Sequence, residues 1–253
     1  MKIKDLNKTR YNQIWQHTDI QKPQIWSTWK VVKEIIGKRN LEIGPGNFPA
    51  IPIKNGYFLD VSQTAVTNLK KTGAKAFLGN VEKIDFPDDF FDSAVAIDVL
   101  EHVEDDQKAF SEIVRVLKPR GFFLFSVPLG REKFGEIDRI AGHKRRYEIE
   151  ELLGLIFQNG FQLVKWRAPS LKYFWVKLLS WAKFPFYQKL LTKTYQSKKS
   201  FEFFGLPKFV VNFLIRLAAF VDRLSAPSWQ DDLKALRNFK GLEVMILCQK
   251  ENK

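Results

Sequence analysis

The sequence predicts an α/β fold in which a mostly parallel sheet carries helices on both faces. Short apolar runs recur along the chain and alternate with longer segments whose apolar residues repeat at helical spacing. The first run, residues 41–43, enters a glycine-rich turn, and the second, residues 57–59, ends at Asp60. Because strands joined by crossover helices pair in parallel, their carboxyl ends meet at one edge, where such sheets bind nucleotide-like ligands.

The N-terminal part of the chain predicts a helix before the first strand. Apolar residues recur at steps of four, three and four from Ile25 to Ile36, which predicts a helix over residues 24–36 that ends at Gly37. Residues 1–37 are therefore expected to form a helical cover, placed either over a bound ligand or against the edge of the sheet.

The segment between the glycine turn and the second strand has no helical character. Pro49 and Pro52 exclude a full helix there, because proline lacks the backbone N–H and clashes with the preceding turn. The second crossover helix is predicted over residues 61–71, with Ser62 as its N-cap and Gly73 as its stop.

The second half of the chain continues the alternation of strands and helices. A polar, charge-rich stretch over residues 130–147 predicts a loop. The remaining strands are predicted at residues 75–78, 91–97, 122–127, 161–166 and 242–249, the helices at 105–117 and 148–158, and a turn at 119–121.

Four short motifs stand in a fixed order across this pattern: Leu-Glu-Ile-Gly-Pro-Gly from Leu41, Phe-Pro-Asp-Asp-Phe-Phe-Asp from Phe86, Leu-Glu-His-Val from Leu100 and Leu-Lys-Pro-Arg-Gly from Leu117. Together they resemble the class I S-adenosylmethionine (SAM)-dependent methyltransferases of the type 11-like branch, over about residues 38–167 and again at the last strand. The resemblance implies a Rossmann-like seven-stranded sheet in the order 3-2-1-4-5-7-6, with the last strand antiparallel. It also implies SAM as cofactor and S-adenosylhomocysteine as product.

The chain departs from the family directly after the glycine turn. The family usually places a helix there and a third glycine near the position of Phe48, and this chain has neither. SAM carries no phosphate, so its binding depends less on a helix N-terminus than dinucleotide binding does.

The resemblance assigns a set of residues to the cofactor. Gly44 and Gly46 let a ligand approach the backbone, because a Cβ would block it. The Asp60 carboxylate suits a pair of ribose hydroxyls, which its two oxygens can accept. The structural alternatives are that Glu42 caps backbone N–H groups and that Asp98 caps a helix. The full set is Glu42 at the amino-acid end, Gly44, Pro45 and Gly46 in the turn, Asp60 and Val61 at the ribose, Asn80 and Val81 at the adenine, and Asp98, Val99 and Leu100 at the methionine moiety.

Two histidines are candidates for a catalytic base. His143 lies in the predicted loop after the fifth strand, on the side where substrate enters, and a histidine can take a proton from a hydroxyl near neutral pH. His102 belongs to the Leu-Glu-His-Val motif and is the second candidate. Arg145, Arg146 and Tyr147 follow as candidate substrate contacts, since paired guanidiniums can clamp an acidic group. With three histidines and one cysteine in the chain, no metal site is expected.

The basic charge of the chain is concentrated before the last strand. Residues 169–241 contain 13 Lys and Arg against 4 Asp and Glu, which supplies +9 of the net +13. Aromatic residues alternate with lysines over 171–191, and an amphipathic helix is predicted over 208–224, so this basic aromatic helical insertion suits an anionic membrane surface. The alternatives are a helical cap on the fold and, less favoured, nucleic acid bound by aromatic stacking.

The composition predicts a single domain over residues 1–253 in a reducing compartment, because the single cysteine, Cys248, excludes an internal disulfide. No leader and no spanning helix are visible, so the expected location is cytoplasmic, with attachment to the inner face of a membrane left open.

The predicted function is methyl transfer to an oxygen or carbon of a small or lipid-linked acceptor, because Asp98–Glu101 stands where base-methylating enzymes carry an Asn/Asp-Pro-Pro-Tyr motif. The alternatives are methylation of a soluble metabolite or sugar under an insertion that acts as a lid, an RNA-binding methyltransferase, and a SAM-binding protein without turnover. The oligomeric state is not predicted.

Overall fold

The computed structural model describes residues 11–12, 15–16, 18–168 and 208–252. The strands are β1 (Asn40–Ile43), β2 (Gly56–Asp60), β3 (Lys75–Leu78), β4 (Phe91–Ile97), β5 (Leu117–Pro128), β6 (Phe161–Arg167) and β7 (Glu243–Lys250). They form one sheet in the order β3-β2-β1-β4-β5-β7-β6, in which β7 is antiparallel to both of its neighbours. The order and the antiparallel strand confirm the predicted fold.

Helices connect most of these strands. They are α1 (Trp29–Ile35), α2 (Gln63–Lys71), α3 (Asp106–Val116), α4 (Glu136–Ala141), α5 (Ile149–Gln158), α6 (Lys208–Ser225) and α7 (Leu233–Arg237). The predicted cap of α2 is confirmed, since Ser62 Oγ accepts the Ala65 N–H at 3.2 Å. None of the helices in the described part of the chain is long and apolar enough to cross a bilayer.

The strand register brings five chain segments to one edge of the sheet. Leu41 of β1 lies opposite Tyr57 of β2 and Ala94 of β4, and all three strands run in the same direction. Their carboxyl ends therefore lie side by side. Because β7 is antiparallel, its first residue, Glu243, lies opposite Pro128 at the carboxyl end of β5. The first residue of β7 thus reaches the same edge as the last residues of the parallel strands.

The sheet separates two apolar layers, as the alternation of side chains along a strand requires. Along β5, Phe123 and Phe125 pack with α3 and α5, whereas Leu124 packs on the opposite face with α1 and α2. The first layer contains fully buried aromatic residues from α3, β5 and β6, of which Phe110 and Phe161 are the largest beside the β5 pair. This packing holds the carboxyl edge in place.

The predicted N-terminal helix over residues 24–36 is wrong in its first half. The structure has a 3-10 turn at Pro23–Ile25 and begins α1 at Trp29. The break falls at Ser27, whose N–H donates to Asp222 Oδ2 at 2.7 Å. That long-range bond replaces the helical partner of this N–H group. The role of residues 1–37 as a cover stays a prediction.

The predicted loop over residues 130–147 contains regular structure and is partly wrong. It begins with a 3-10 turn, Arg131–Lys133, and continues into α4. Asp138 Oδ2 accepts the Gly135 N–H at 2.9 Å and so caps the start of α4. Gly142, at φ +79°, ends it.

Two further local predictions need correction. The expected turn at 119–121 lies inside β5, where the register with β4 shifts between Phe91 and Ser93 and Arg120 takes a positive φ of 62°. Helix α7 was not predicted; Asp232 caps it by accepting the Lys234 and Ala235 N–H groups. The other strands and helices begin and end within two residues of the predicted positions.

Within the basic insertion, the structure describes α6 and α7 and the segments that follow each of them. The predicted helix over 208–224 is confirmed as α6. Its buried face carries Ala219 and Asp222, and its other side exposes a row of apolar residues. Residues 169–207, which include the predicted aromatic and lysine-rich stretch, lie outside the described residues. That part of the insertion stays a prediction.

Candidate active site

A cavity of about 940 Å³ opens at the carboxyl edge of the sheet. The ends of β1, β2 and β4 form its floor, and residues from the N-terminal segment, α6 and β7 form its walls. The lining residues that the sequence had singled out are Glu42, Gly44, Pro45, Asp60, Val61, Asn80, Val81, Asp98, Val99, His102 and His143. The structure therefore brings most of the predicted site residues to a single cavity.

The glycine turn lies in close contact with its surroundings. Gly44 has a φ of +64°, and a Cβ added there would lie 2.7 Å from Val99 Cγ2. Gly46 has a φ of +53°, and its Cβ would lie 2.2 Å from the Trp15 ring. Trp15 thus covers Gly46, while Gly44 lines the cavity. Both positions require glycine for backbone conformation and for space.

Glu42 closes the turn from below. Its carboxylate accepts the Ala50 N–H at 2.8 and 3.0 Å and the Ile51 N–H at 3.1 Å. The segment after the glycine turn is not helical, as predicted, and Glu42 stabilises its backbone instead. Burial raises the pKa of Glu42 to about 8. Glu42 also lines the cavity, so the capping alternative and the ligand-binding interpretation are compatible.

Asp60 joins the glycine turn to the end of β2. Its Oδ2 accepts the Gly46 N–H at 2.9 Å and its Oδ1 accepts the Ser62 N–H at 2.8 Å. Burial raises its pKa to about 6. The carboxylate also accepts the Val61 N–H, and of its roughly four lone pairs at least one is left to accept a hydroxyl from the cavity. Val61, 39% exposed, lines the cavity beside it.

Asn80 and Val81 follow β3 and form one side wall of the cavity. Asn80 Oδ1 accepts the Glu82 N–H at 3.2 Å, which fixes the amide in place. Val81 is buried beside it. An amide and an apolar side chain next to each other suit the edge and face of a base.

Asp98 directly follows β4 and has a strained backbone conformation. Its φ is +54°, which is uncommon outside glycine, and its Oδ1 accepts the Ser126 hydroxyl at 2.5 Å. Val99 follows and lines the cavity. Leu100 does not: it is fully buried in the core, and its carbonyl accepts the Tyr147 hydroxyl at 3.1 Å.

The two candidate histidines lie against each other, with ring centroids 4.8 Å apart. His143 Nδ1 lies 2.9 Å from Asp138 Oδ1, and burial lowers the pKa of His143. His102 Nδ1 lies 3.1 Å from the Gly142 carbonyl oxygen. Beneath them lies Glu101, whose pKa burial raises well above its ordinary value. Both imidazoles line the cavity.

The predicted substrate contacts of Arg145, Arg146 and Tyr147 are placed differently from expectation. Arg145 pairs with Asp106 at 2.5 Å, and Arg146 pairs with Asp138 at 2.9 Å. The Tyr147 side chain is buried in the core. All three hold the segment after α4 against the domain, and their contact with substrate stays a prediction.

The sequence analysis missed a charged group on the far side of the cavity. Arg167 ends β6, and its Nη2 donates to Ser27 Oγ at 2.8 Å. Asp222 of α6 and Glu243 of β7 are the nearby carboxylates, and all three residues are less than 10% exposed. In the sequence the only local signals were the charged residues Arg167, at the end of one strand, and Glu243, at the start of the next. Only the fold brings these residues together.

These observations can be compared with known proteins. Residues 41–125 match the family model of the methyltransferase domain. The match covers about a third of the chain, from β1 to the middle of β5. The match confirms the resemblance given by the sequence motifs, and SAM as the cofactor that it implies.

Two curated relatives each align with about a third of the chain. The biotin biosynthesis bifunctional protein BioHC of Teredinibacter turnerae is 30% identical over 100 residues, which is 37% of this chain and 17% of that protein. The tRNA (carboxymethyluridine(34)-5-O)-methyltransferase of Arabidopsis thaliana is 29% identical over 93 residues, 34% of this chain and 23% of that protein. The chain spans less than a quarter of the length of either relative.

The fold extends beyond the matched residues. A SAM-dependent methyltransferase from Thermotoga maritima superposes with a TM-score of 0.56 at 20% identity, over 90% of this chain and 91% of that chain. At this identity the likeness concerns the fold, and the reaction has to be argued from the site.

Proposed function

We propose that the chain transfers the methyl group of SAM to an oxygen or carbon of a small or lipid-linked acceptor inside this cavity. The observation that carries the proposal is the row of carboxylates, Glu42, Asp60 and Asp98, at the ends of three adjacent parallel strands. SAM carries positive charge at its sulfonium and its amino group, and its ribose needs hydrogen-bond acceptors. The row supplies both kinds of partner.

The cavity is large enough for a cofactor and an acceptor together. Its volume of about 940 Å³ lies at the upper end of the roughly 300–1,000 Å³ of ligand pockets. SAM placed along Glu42, Asp60 and Asn80 leaves the part near α6 for the acceptor. The methyl carbon then moves from sulfur to the acceptor atom, the electron pair of the broken bond stays on sulfur, and the acceptor's proton leaves near His102 and His143. Alignment of this kind contributes up to roughly 7–11 kcal/mol.

The acceptor side of the cavity is amphiphilic. Apolar side chains of Trp26, Ile215 and Met245 line it together with the charged Arg167 and Asp222. A molecule with a hydroxylated head and an apolar part matches this wall, because the charges can bond the head while the apolar side chains cover the rest. This arrangement supports a lipid-linked acceptor over a fully polar sugar.

SAM binding by isothermal titration tests the cofactor part of the proposal. Asp60→Ala removes a charged acceptor, so the affinity is expected to fall by about 10- to 100-fold, since such bonds contribute about 1.5–3 kcal/mol. Asp85→Ala, at an exposed carboxylate outside the cavity, is the matched control. Equal affinities of the two variants would contradict the assignment of Asp60.

Label transfer from methyl-labelled SAM tests the acceptor. An extract of the source cell is incubated with the protein and separated into lipid, small aqueous, RNA and protein fractions. Label in the lipid fraction, lost with Asp60→Ala, supports a lipid-linked acceptor. Label confined to the aqueous fraction assigns a soluble metabolite or sugar, with the insertion as a lid.

RNA is the second candidate acceptor, for a specific reason: one curated relative is named a tRNA methyltransferase, and this chain has a net charge of +13. RNA binding through phosphates would weaken steeply with salt. Label in the RNA fraction, together with salt-sensitive RNA binding, would replace the lipid-linked acceptor. SAM binding without label in any fraction would favour a protein that binds SAM without turnover.

A further inference from the structure

We propose that Glu101, His102 and His143 hold one divalent metal ion at the wall of the cavity. One ligand atom of each residue lies within 4.8 Å of the others, and His143 Nε2 lies 3.9 Å from Glu101 Oε1. Two residues come from the 3-10 turn after β4 and the third follows α4. Two imidazoles and one carboxylate suit manganese, iron, cobalt, nickel or zinc in the divalent state.

His143 is oriented as a metal-binding histidine would be. Its Nδ1 lies 2.9 Å from Asp138 Oδ1, and Asp138 also accepts from Arg146. An ionised carboxylate only accepts, so Nδ1 carries the proton and Nε2 keeps its lone pair on the side of Glu101. A carboxylate behind the imidazole is the usual partner that fixes the tautomer and direction of a ligating histidine.

His102 is held in a similar way by a backbone carbonyl. Its Nδ1 lies 3.1 Å from the Gly142 oxygen, which can only accept, so the proton is again on Nδ1. The Tyr11 hydroxyl lies 3.3 Å from both ring nitrogens of His102. With the proton on Nδ1, the lone pair of Nε2 would be the one that a metal ion takes.

Glu101 supplies an independent observation. It is 1% exposed, and within the part of the chain that the structure describes its Oε2 has no hydrogen-bond partner. A buried carboxyl oxygen without a partner is costly. The oxygen that faces His143 Nε2 is Oε1, so a metal ion bound by both oxygens of Glu101 would provide the partner that Oε2 lacks.

The cluster needs only a small contraction to bind an ion. Ligand atoms bonded at about 2.0–2.2 Å lie at most about 4.4 Å apart, and the cluster spans up to 4.8 Å. Three protein ligands leave coordination positions open, and both imidazoles face the cavity. An acceptor hydroxyl bound there would lose its proton to water more readily, and its oxygen would then take the methyl group. This role rests on the proposed function, whereas metal binding itself does not.

The test is a titration of the full chain with Co²⁺, after removal of any purification tag and dialysis against a chelator that is then removed. Visible absorption and isothermal titration are expected to report one site per chain. Glu101→Gln and His143→Gln are each expected to lower the affinity by about tenfold or more, as losses around a metal site do. His17→Gln removes the third histidine of the chain and is the control, with unchanged affinity.

The outcomes separate this proposal from the proposed function. No Co²⁺ binding, or binding that Glu101→Gln and His143→Gln leave unchanged, would overturn the metal site even if SAM still binds. Loss of binding in His17→Gln alone would place the metal elsewhere and overturn it too. Co²⁺ binding that follows the expected pattern would support the site even if the wild-type chain failed to bind SAM. Circular dichroism of each variant shows that it is folded.

Discussion

Glu42 shows how one buried carboxyl group can serve both the backbone and a ligand. It caps two N–H groups after the glycine turn and lines the cavity at the same time. A cationic ligand would favour its ionised form, whereas burial favours the protonated form. The protonation state of Glu42 therefore links the stability of the turn to the occupancy of the cavity.

A pH dependence of stability follows from Glu42. Its ordinary pKa of 4.5 is raised to about 8 in the fold, so between these values the folded chain holds a proton that the unfolded chain releases. The free energy of unfolding is then expected to fall as the pH rises from about 4.5 to 8 through this group. Thermal unfolding without ligand at pH 5.5 and pH 8 measures it.

Glu42→Gln is the variant that isolates this contribution, because its amide oxygen still accepts an N–H group but does not titrate. The loss of stability between the two pH values is expected to be smaller in the variant than in the wild type. An equal loss in both proteins would show that other groups cause it.

Gly44 tests the close approach of the turn to Val99. Gly44→Ala introduces a positive-φ alanine and a contact at 2.7 Å, whereas Gly73→Ala, at φ +82°, meets nothing within 4 Å. Both variants should lose the roughly 1–2 kcal/mol of a left-handed alanine, and Gly44→Ala should lose about 1–3 kcal/mol more from overpacking. Urea unfolding measures the difference. Equal losses would mean that Val99 moves aside without cost.

Helix α3 packs on the sheet through one buried aromatic side chain. Phe110 is fully buried against Phe123, Phe125 and Phe161 at centroid distances of 5.6–6.5 Å. Phe110→Ala is expected to cost about 3–5 kcal/mol of unfolding free energy. Phe157→Ala on α5, at a side chain 43% exposed, should stay within about 0.5 kcal/mol of the wild type. Chemical denaturation compares them, and a similar cost for both would contradict the packing.

The elements that sequence reasoning predicted are those that local signals specify. The order of strands was implied by the family resemblance that the four motifs carry. Helix α2 was predicted from Ser62 and Gly73, which lie next to its ends. The break before α1 could not be predicted, because it depends on a bond from Ser27 to Asp222, 195 residues away. Helix α4 was missed because charged residues hide its short apolar pattern.

The candidate site likewise contains residues that local sequence signals indicate and residues that only the fold brings together. Glu42, Asp60 and Asp98 could be predicted at the carboxyl ends of strands, because each lies in an apolar run of the sequence or directly follows one. The proximity of Arg167 to Asp222 could not be predicted, since β6 and α6 are separated in the chain and meet only in the fold. The cluster of Glu101 with His143 was missed for the same reason.

At the scale of the whole molecule, α6 lies between the cavity and the protein surface. One side of it places Asp222 in the cavity wall, and the other exposes Phe209, Phe213, Leu217, Phe220 and Leu224, which are 49–74% exposed. With Arg216 and Arg223 also exposed, this side has the composition of a helix that lies on an anionic bilayer. The prediction of membrane attachment therefore depends on this face.

Vesicle binding tests that prediction. Phe213→Glu is expected to weaken co-sedimentation with anionic phosphatidylserine vesicles, because it removes apolar contact and adds repulsion. Phe157→Glu, on the exposed side of α5, is the control with unchanged binding. Wild-type protein that stays in the supernatant, or two variants that behave alike, would contradict attachment through α6.

Because β7 lies between β5 and β6, the sheet cannot be completed until β7 has been synthesised. Both β5 and β6 are made long before β7, which lies between them. Phe161 at the start of β6 pairs with Lys250, so β6 gains its hydrogen-bonded neighbour only when nearly 90 further residues have left the ribosome. Until then the nascent chain exposes two strand edges, which are templates for pairing with other chains. A translation product that stops before residue 243 is therefore expected to be a substrate for chaperones and proteases rather than a smaller folded protein.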